Sequence, residues 1–122
     1  RVTVLDRYVD DIAGRFNLER PMRVAVDCGN GTGSILAVRL LEAIGVEVTP
    51  LFCESDPTFP NHHPDPTVDD NLIDLIRSVE SGNHDLGVAF DGDADRIGAI
   101  DDQGQIIRFV KRNRHISIRY GA

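Results

Sequence analysis

Apolar positions recur along the chain with two periods, and each period predicts its own kind of element. Val4, Leu5, Tyr8, Val9, Ile12, Ala13 and Phe16 fall three or four apart and predict a helix over about 3–17, with Pro21 closing the segment. The β-branched run Arg23-Val24-Ala25-Val26-Asp27 predicts a strand, and Gly29-Asn30-Gly31-Thr32-Gly33 a tight turn. Ser34 suits the N-cap of a helix over 35–44, and Gly45 its C-terminal stop. Val46 to Phe52 predicts a second strand. Pro57, Pro60, Pro64 and Pro66 fix φ repeatedly and predict a stiff, extended loop over 54–67. Leu72, Ile73, Leu75, Ile76 and Val79 predict a second amphipathic helix over about 68–81, closed by Gly82-Asn83. Leu86 to Phe90 predicts a third strand. Ile97–Ile100 and Gln105–Phe109 flank Asp101-Asp102-Gln103-Gly104, a hairpin signal.

This order predicts an α/β fold: a three-layer domain with a mainly parallel sheet, helices on both faces and a C-terminal antiparallel hairpin. Ligands of such sheets sit outside the carboxyl ends of the strands. Three segments leave such ends: 28–34, 54–67 and 91–96.

Composition narrows the class. The 122 residues make one domain, and 41% hydrophobic content supports a modest core. No window approaches the ~20 apolar residues of a membrane span, so no membrane partner is expected. A net charge of −7 argues against nucleic acid, which needs a basic surface. Cys28 and Cys53 are too few for a disulfide framework or a four-thiolate zinc site, and are expected as buried thiols at the strand ends. No charged-then-apolar leader opens the stretch, so the expected setting is cytoplasmic. Charge is uneven: residues 1–107 hold twenty acids and eight bases, net −12, whereas 108–122 hold five bases and no acid, net +5. The chain therefore divides into a helical lead-in at 1–20, an α/β domain at 21–107 and a basic tail at 108–122.

The densest chemistry is Asp91-Gly92-Asp93-Ala94-Asp95-Arg96, directly after an apolar strand. Three carboxylates within five residues repel unless a cation neutralises them. Gly92 and Ala94 are small enough to let the backbone turn all three inward. Oxygen ligands alone favour Mg²⁺ or Ca²⁺ over zinc. Arg96 beside them suits phosphate, whose oxygens match the guanidinium fork. Metal plus arginine is the equipment of phosphoryl transfer.

Rival patterns stay open for these residues. Asp91, Asp93 and Asp95 fit the first three ligand positions of a helix–loop–helix calcium loop, but Arg96 and Asp102 stand where Gly and Glu belong. Asp91 and Asp93 fit the aspartyl-nucleophile phosphatase pattern D-x-D-x-[TV], with Asp95 off pattern. Gly29, Gly31 and Gly33 lack the spacing of a dinucleotide or P-loop fingerprint; they allow a sharp turn and close helix packing, or a phosphate at the helix N-terminus. In Asn61-His62-His63-Pro64-Asp65-Pro66 adjacent histidines do not share a face, so loop positioning or an interdomain contact suits them better than a two-His metal site.

Three segments together carry a resemblance: Val26 to Gly31, Phe59 to Pro66, and Asp85 to Arg96. In order, spacing and wording the stretch from Pro21 to Ile107 resembles the second domain of the α-D-phosphohexomutases, in particular the bacterial phosphomannomutase/phosphoglucomutase branch. That resemblance implies a four-domain enzyme interconverting hexose 6-phosphate and hexose 1-phosphate through a phosphoserine and a bisphosphorylated sugar. It implies Mg²⁺ on Asp91, Asp93 and Asp95, and Arg96 on the transferring phosphoryl group. The partners implied are a mannose or glucose phosphate and the other domains of the same enzyme. After Ile107 the text departs from the family, and Lys111 falls by count where the family has an arginine that reaches substrate. Ser34, Ser55, Ser78, Ser81 and Ser117 lack the surroundings of the family's nucleophile, so the chain alone is expected to be inactive. The rival to an enzyme domain is a free-standing module that binds Mg²⁺ or a partner without catalysis.

Overall fold

The computed structural model describes the backbone of residues 3–112 and 115–120 and the side chains of residues 3–107. Chain order is α1 (Val4–Ala13), β1 (Met22–Asp27), α2 (Ala37–Ala43), β2 (Val46–Leu51), α3 (Ile73–Ser81), β3 (Leu86–Phe90), β4 (Ile97–Ile100), β5 (Ile106–Arg112) and β6 (His115–Tyr120). Single 3₁₀ turns at Thr32–Ile35 and Asp69–Leu72 precede α2 and α3. Among the described residues no helix is long and apolar enough to cross a membrane.

The sheet runs β2-β1-β3-β4-β5-β6. β1 lies parallel to β2 and β3, and every later pairing is antiparallel. The sheet is thus mixed rather than mainly parallel. Connection length is the reason: a parallel return needs about a dozen residues or more, usually a helix. Residues 91–96 are too short for that, so β4 turns back beside β3.

Alternation along β1 sends side chains to two cores. Ala25 joins Leu72, Leu75, Val79, Ala89 and Ile100 under α3. Val24, Val26 and Cys28 join Val46 and Val88 on the opposite face, where Leu41 of α2 and Ile44 at its C-terminal end pack against them. Helices therefore cover both faces. α1 packs on α2 rather than on the sheet, and Arg39 reaches Asp6 at 2.6 Å. A capping box between Thr3 and Asp6 starts α1.

Three expectations shift. α1 stops at Ala13 instead of 17, where the Gly14 N–H bonds back to Asp10. Ser34 does not cap α2; the chain first takes the 3₁₀ turn, and Leu36 stands at the N-cap without a side-chain bond. The basic tail carries strand structure that the sequence patterns did not predict: β5 runs on to Arg112, and β6 pairs with it from Ile107↔Tyr120 to Arg112↔His115. The alternation of Ile116, Ile118 and Tyr120 with polar residues is the strand period that the arginines obscure.

Candidate functional site

β1 and β3 end side by side, and their following turns meet the proline-rich loop there. β1 ends in Asp27, which has no exposed area. Its Oδ1 accepts the Gly29 N–H at 2.8 Å, and its Oδ2 lies 2.7 Å from His62 Nε2. His62 Nδ1 is 2.8 Å from the His63 carbonyl, and a carbonyl can only accept, so that nitrogen carries a proton. The imidazole thus bridges the two segments. Burial pushes the Asp27 carboxyl up, with His62 opposing. Burial also disfavours the His62 imidazolium, but the His63 carbonyl and the Asp27 charge outweigh it and raise its pKa. Gly29 sits at φ +54, and a Cβ there would lie 2.8 Å from Pro64 Cβ. Only glycine satisfies that conformation and that contact together.

The Asp loop begins with Asp91, which is 4% exposed. Asp91 Oδ1 accepts the Arg96 N–H at 3.1 Å, and Oδ2 accepts from Arg96 Nε at 2.8 Å. The Ala94 N–H closes a turn on the Asp91 carbonyl, and Ala94 takes a φ of +59. That turn brings one carboxylate oxygen each of Asp91, Asp93 and Asp95 within 4.8 Å of one another. Asp93 and Asp95 are exposed. Hydrogen bonding with Asp93, then Asp91, pushes the Asp95 carboxyl up to about 6, the mark of crowded like charge. Burial opposes ionisation of Asp91, yet its bonds to Arg96 hold it down at about 2. The Arg96 side chain is 55% exposed and its Nη1 lies 3.8 Å from Asp65 Oδ1.

The glycine turn props the loop from behind. Thr32 donates its N–H at 3.0 Å and its hydroxyl at 3.2 Å to the Gly92 carbonyl. A Cβ on Gly31 would stand 2.7 Å from that same carbonyl oxygen, so no larger residue fits without a shift. The donor set is all oxygen and anionic, which fits a hard divalent cation. The flanking elements are strands β3 and β4, which excludes a helix–loop–helix calcium site.

The sequence from residue 6 to residue 104 matches the family described as phosphoglucomutase/phosphomannomutase, alpha/beta/alpha domain II. The chain belongs to this family. A Pseudomonas putida phosphomannomutase/phosphoglucomutase is 50% identical over 107 residues, covering 88% of this chain and 23% of that protein. A Neisseria meningitidis phosphoglucomutase is 51% identical over 100 residues, 82% of this chain and 22% of that protein. The crystal structure of a Burkholderia thailandensis phosphoglucomutase/phosphomannomutase family protein is 47% identical, with a TM-score of 0.82 over 85% of this chain and 23% of that one. The chain spans less than a quarter of each relative's length.

In this domain II the residues singled out from sequence separate into groups. Asp91, Asp93 and Asp95 converge. Arg96 joins them, but through Asp91 rather than from the open side. His62 turns inward to Asp27, whereas His63 is exposed. Lys111 lies on β5, and its side chain falls outside the described residues. Sequence reading missed Asp27 and Asp65 as partners of His62 and Arg96, and Thr32 as a support. The available signal for Asp27 was a charged residue ending an otherwise apolar strand.

Proposed function

We propose that this chain is the Mg²⁺-binding domain of a phosphohexomutase, which interconverts hexose 6-phosphate and hexose 1-phosphate through a phosphoserine and a bisphosphorylated sugar. The observation that carries the reading is the convergence of Asp91, Asp93 and Asp95 within 4.8 Å at the carboxyl end of β3. Those three residues would hold the ion. When bound, Mg²⁺ would offset the negative charge of the phosphoryl oxygens. Arg96 anchors its Nε on Asp91 and so presents its outer guanidinium nitrogens as donors for a phosphoryl oxygen. The Asp27–His62 bridge positions the proline loop, and exposed His63 faces the other domains. Lys111 contributes a substrate contact. Residues 21–107 form the metal-binding unit, with 1–20 leading in and 108–122 following. Mannose or glucose phosphate is the substrate class, the remaining domains of the enzyme are the partners, and the setting is the cytoplasm.

An aspartyl-phosphate mechanism is disfavoured because Asp95 stands where the D-x-D-x-[TV] pattern has Thr or Val. The test is a Mn²⁺ or Mg²⁺ titration of the chain by calorimetry. Wild type binds weakly, and Asp93→Asn binds at least roughly tenfold more weakly. Equal affinity for both would remove the loop as the site. The pure chain turns over no glucose 1-phosphate, because positioning of phosphoserine and sugar is missing; measurable turnover would overturn that part.

A further inference from the structure

Two thiols lie under the glycine turn, apart from the Asp loop. Cys28 follows β1 and is fully buried, and Cys53 follows β2 and is half-buried. The Cys28 N–H bonds the Leu51 carbonyl at 3.1 Å, extending the β1–β2 ladder one step past the strands. Phe52 then takes a φ of +51 and turns Cys53 back toward its neighbour. The sulfurs stand 3.1 Å apart. A disulfide needs about 2.05 Å, so they must close by roughly one ångström more.

The two sulfurs differ in access. Cys53 lines a cavity of about 540 Å³ together with Asn30, Phe52, Glu54 and Asn61, roomy enough for a small oxidant. Cys28 is shielded behind it. They differ in acidity as well. The contact with Cys53, and then burial, pushes the Cys28 thiol up, while the same contact lowers Cys53. The thiolate is the nucleophile in such chemistry, and Cys53 is the sulfur that an oxidant in the cavity can reach.

We propose that Cys28 and Cys53 are a peroxide-responsive dithiol, with Cys53 attacking from the cavity and Cys28 closing a disulfide beneath the glycine turn. The Cys53 thiolate attacks one oxygen of hydrogen peroxide; an S–O bond forms, the O–O bond breaks, and hydroxide leaves and takes up the thiol's proton as water. The Cys28 sulfur then displaces the oxygen from Cys53. An S–S bond forms, the S–O bond breaks, and the oxygen departs with the Cys28 proton as a second water. Two thiols lose two electrons and one peroxide gains them. The site is independent of the metal reading, since none of its atoms belongs to the Asp loop.

The test treats the folded 122-residue chain with hydrogen peroxide and records its intact mass. The expected product is a monomer lighter by two hydrogens, with no free thiol, that dithiothreitol restores. In Cys28→Ser the expected product is a Cys53 sulfenic acid trapped by a cyclic 1,3-diketone; in Cys53→Ser the buried Cys28 stays unlabelled. The proposal fails if wild type keeps both thiols, gains only oxygen, or links two chains together. It fails in its assignment of roles if Cys28 alone is trapped. The wild-type mass decides the main point even where a serine variant does not fold.

Discussion

Asp27 ends β1 with no exposed area and with each carboxylate oxygen answered from within the chain, one by Gly29 and one by His62. Asp93 and Asp95, a few residues past β3, stand exposed and crowd each other and Asp91. The two regions share a glycine turn, yet they solve opposite problems. A buried carboxylate must be satisfied by the fold itself, because burial without a partner is costly. An exposed cluster leaves its repulsion to be relieved from outside, by a cation. The junction should therefore govern stability and leave binding alone, and the loop should do the reverse.

The sharpest way to break that contrast is to remove one partner of the junction. His62→Ala leaves Asp27 buried and unpaired, and a loss of about 3 kcal/mol is expected, measured by urea denaturation of the metal-free chain. A loss under about 1 kcal/mol would show that the bridge does not hold the loop. Next comes the shared turn. Gly31→Val drives a side chain into the Gly92 carbonyl, where even a Cβ would stand at 2.7 Å, and a loss of about 2 kcal/mol is expected. That variant alone should impair both stability and metal affinity, since Thr32 and Gly31 support Gly92 together. If metal affinity stays intact, the turn does not prop the loop.

The third substitution reverses the sign. Asp93→Asn removes one of three crowded charges, so the metal-free melting temperature should hold or rise while affinity for Mn²⁺ falls. A variant that melts earlier without metal would place Asp93 in the fold rather than in the site.

These regions also differ in how well the sequence displays them. The Asp loop is local: Asp91, Asp93 and Asp95 are near neighbours, and the strand before them sets their position at a carboxyl end. Their convergence needs only one turn, closed by Ala94 on Asp91. The Asp27–His62 bridge spans 35 residues and depends on how the proline loop folds back over β1. No periodicity reports that distance. Helix and strand periods gave α1, α3 and the three parallel strands because apolar faces there are continuous. The turn signal at 101–104 gave the antiparallel pair β4 and β5, but the antiparallel return from β3 to β4 stayed hidden, because the sequence shows strand character and not strand direction. The length of 91–96 carried that information instead. Arg96 was legible as a partner for anions, but its first partner is Asp91, which adjacency in sequence could have suggested.

The smallest expected effect concerns the proton within the junction. His62 titrates above its ordinary 6.5 in the folded chain. The folded state therefore binds that proton more readily than the unfolded state does. Its contribution to stability is complete below about pH 6.5 and disappears as pH rises through the raised folded value. Asp27, also raised, acts in the same direction from its ordinary 3.8 upward, since the folded chain again holds the proton longer. Carboxylates held low elsewhere, such as Asp85 by Arg20, are ionised throughout this window and add no slope there. Stability should accordingly decline from pH 6 toward pH 8, and the decline should be shallower in His62→Gln, which keeps a polar side chain but cannot titrate. The effect is smaller than that of His62→Ala because only the proton is lost, while the ring, its contact with Phe52 and its bond to the His63 carbonyl persist. Denaturation midpoints of both chains across that range decide it: parallel profiles would mean that His62 carries the same charge folded and unfolded, and that the bridge acts through shape alone.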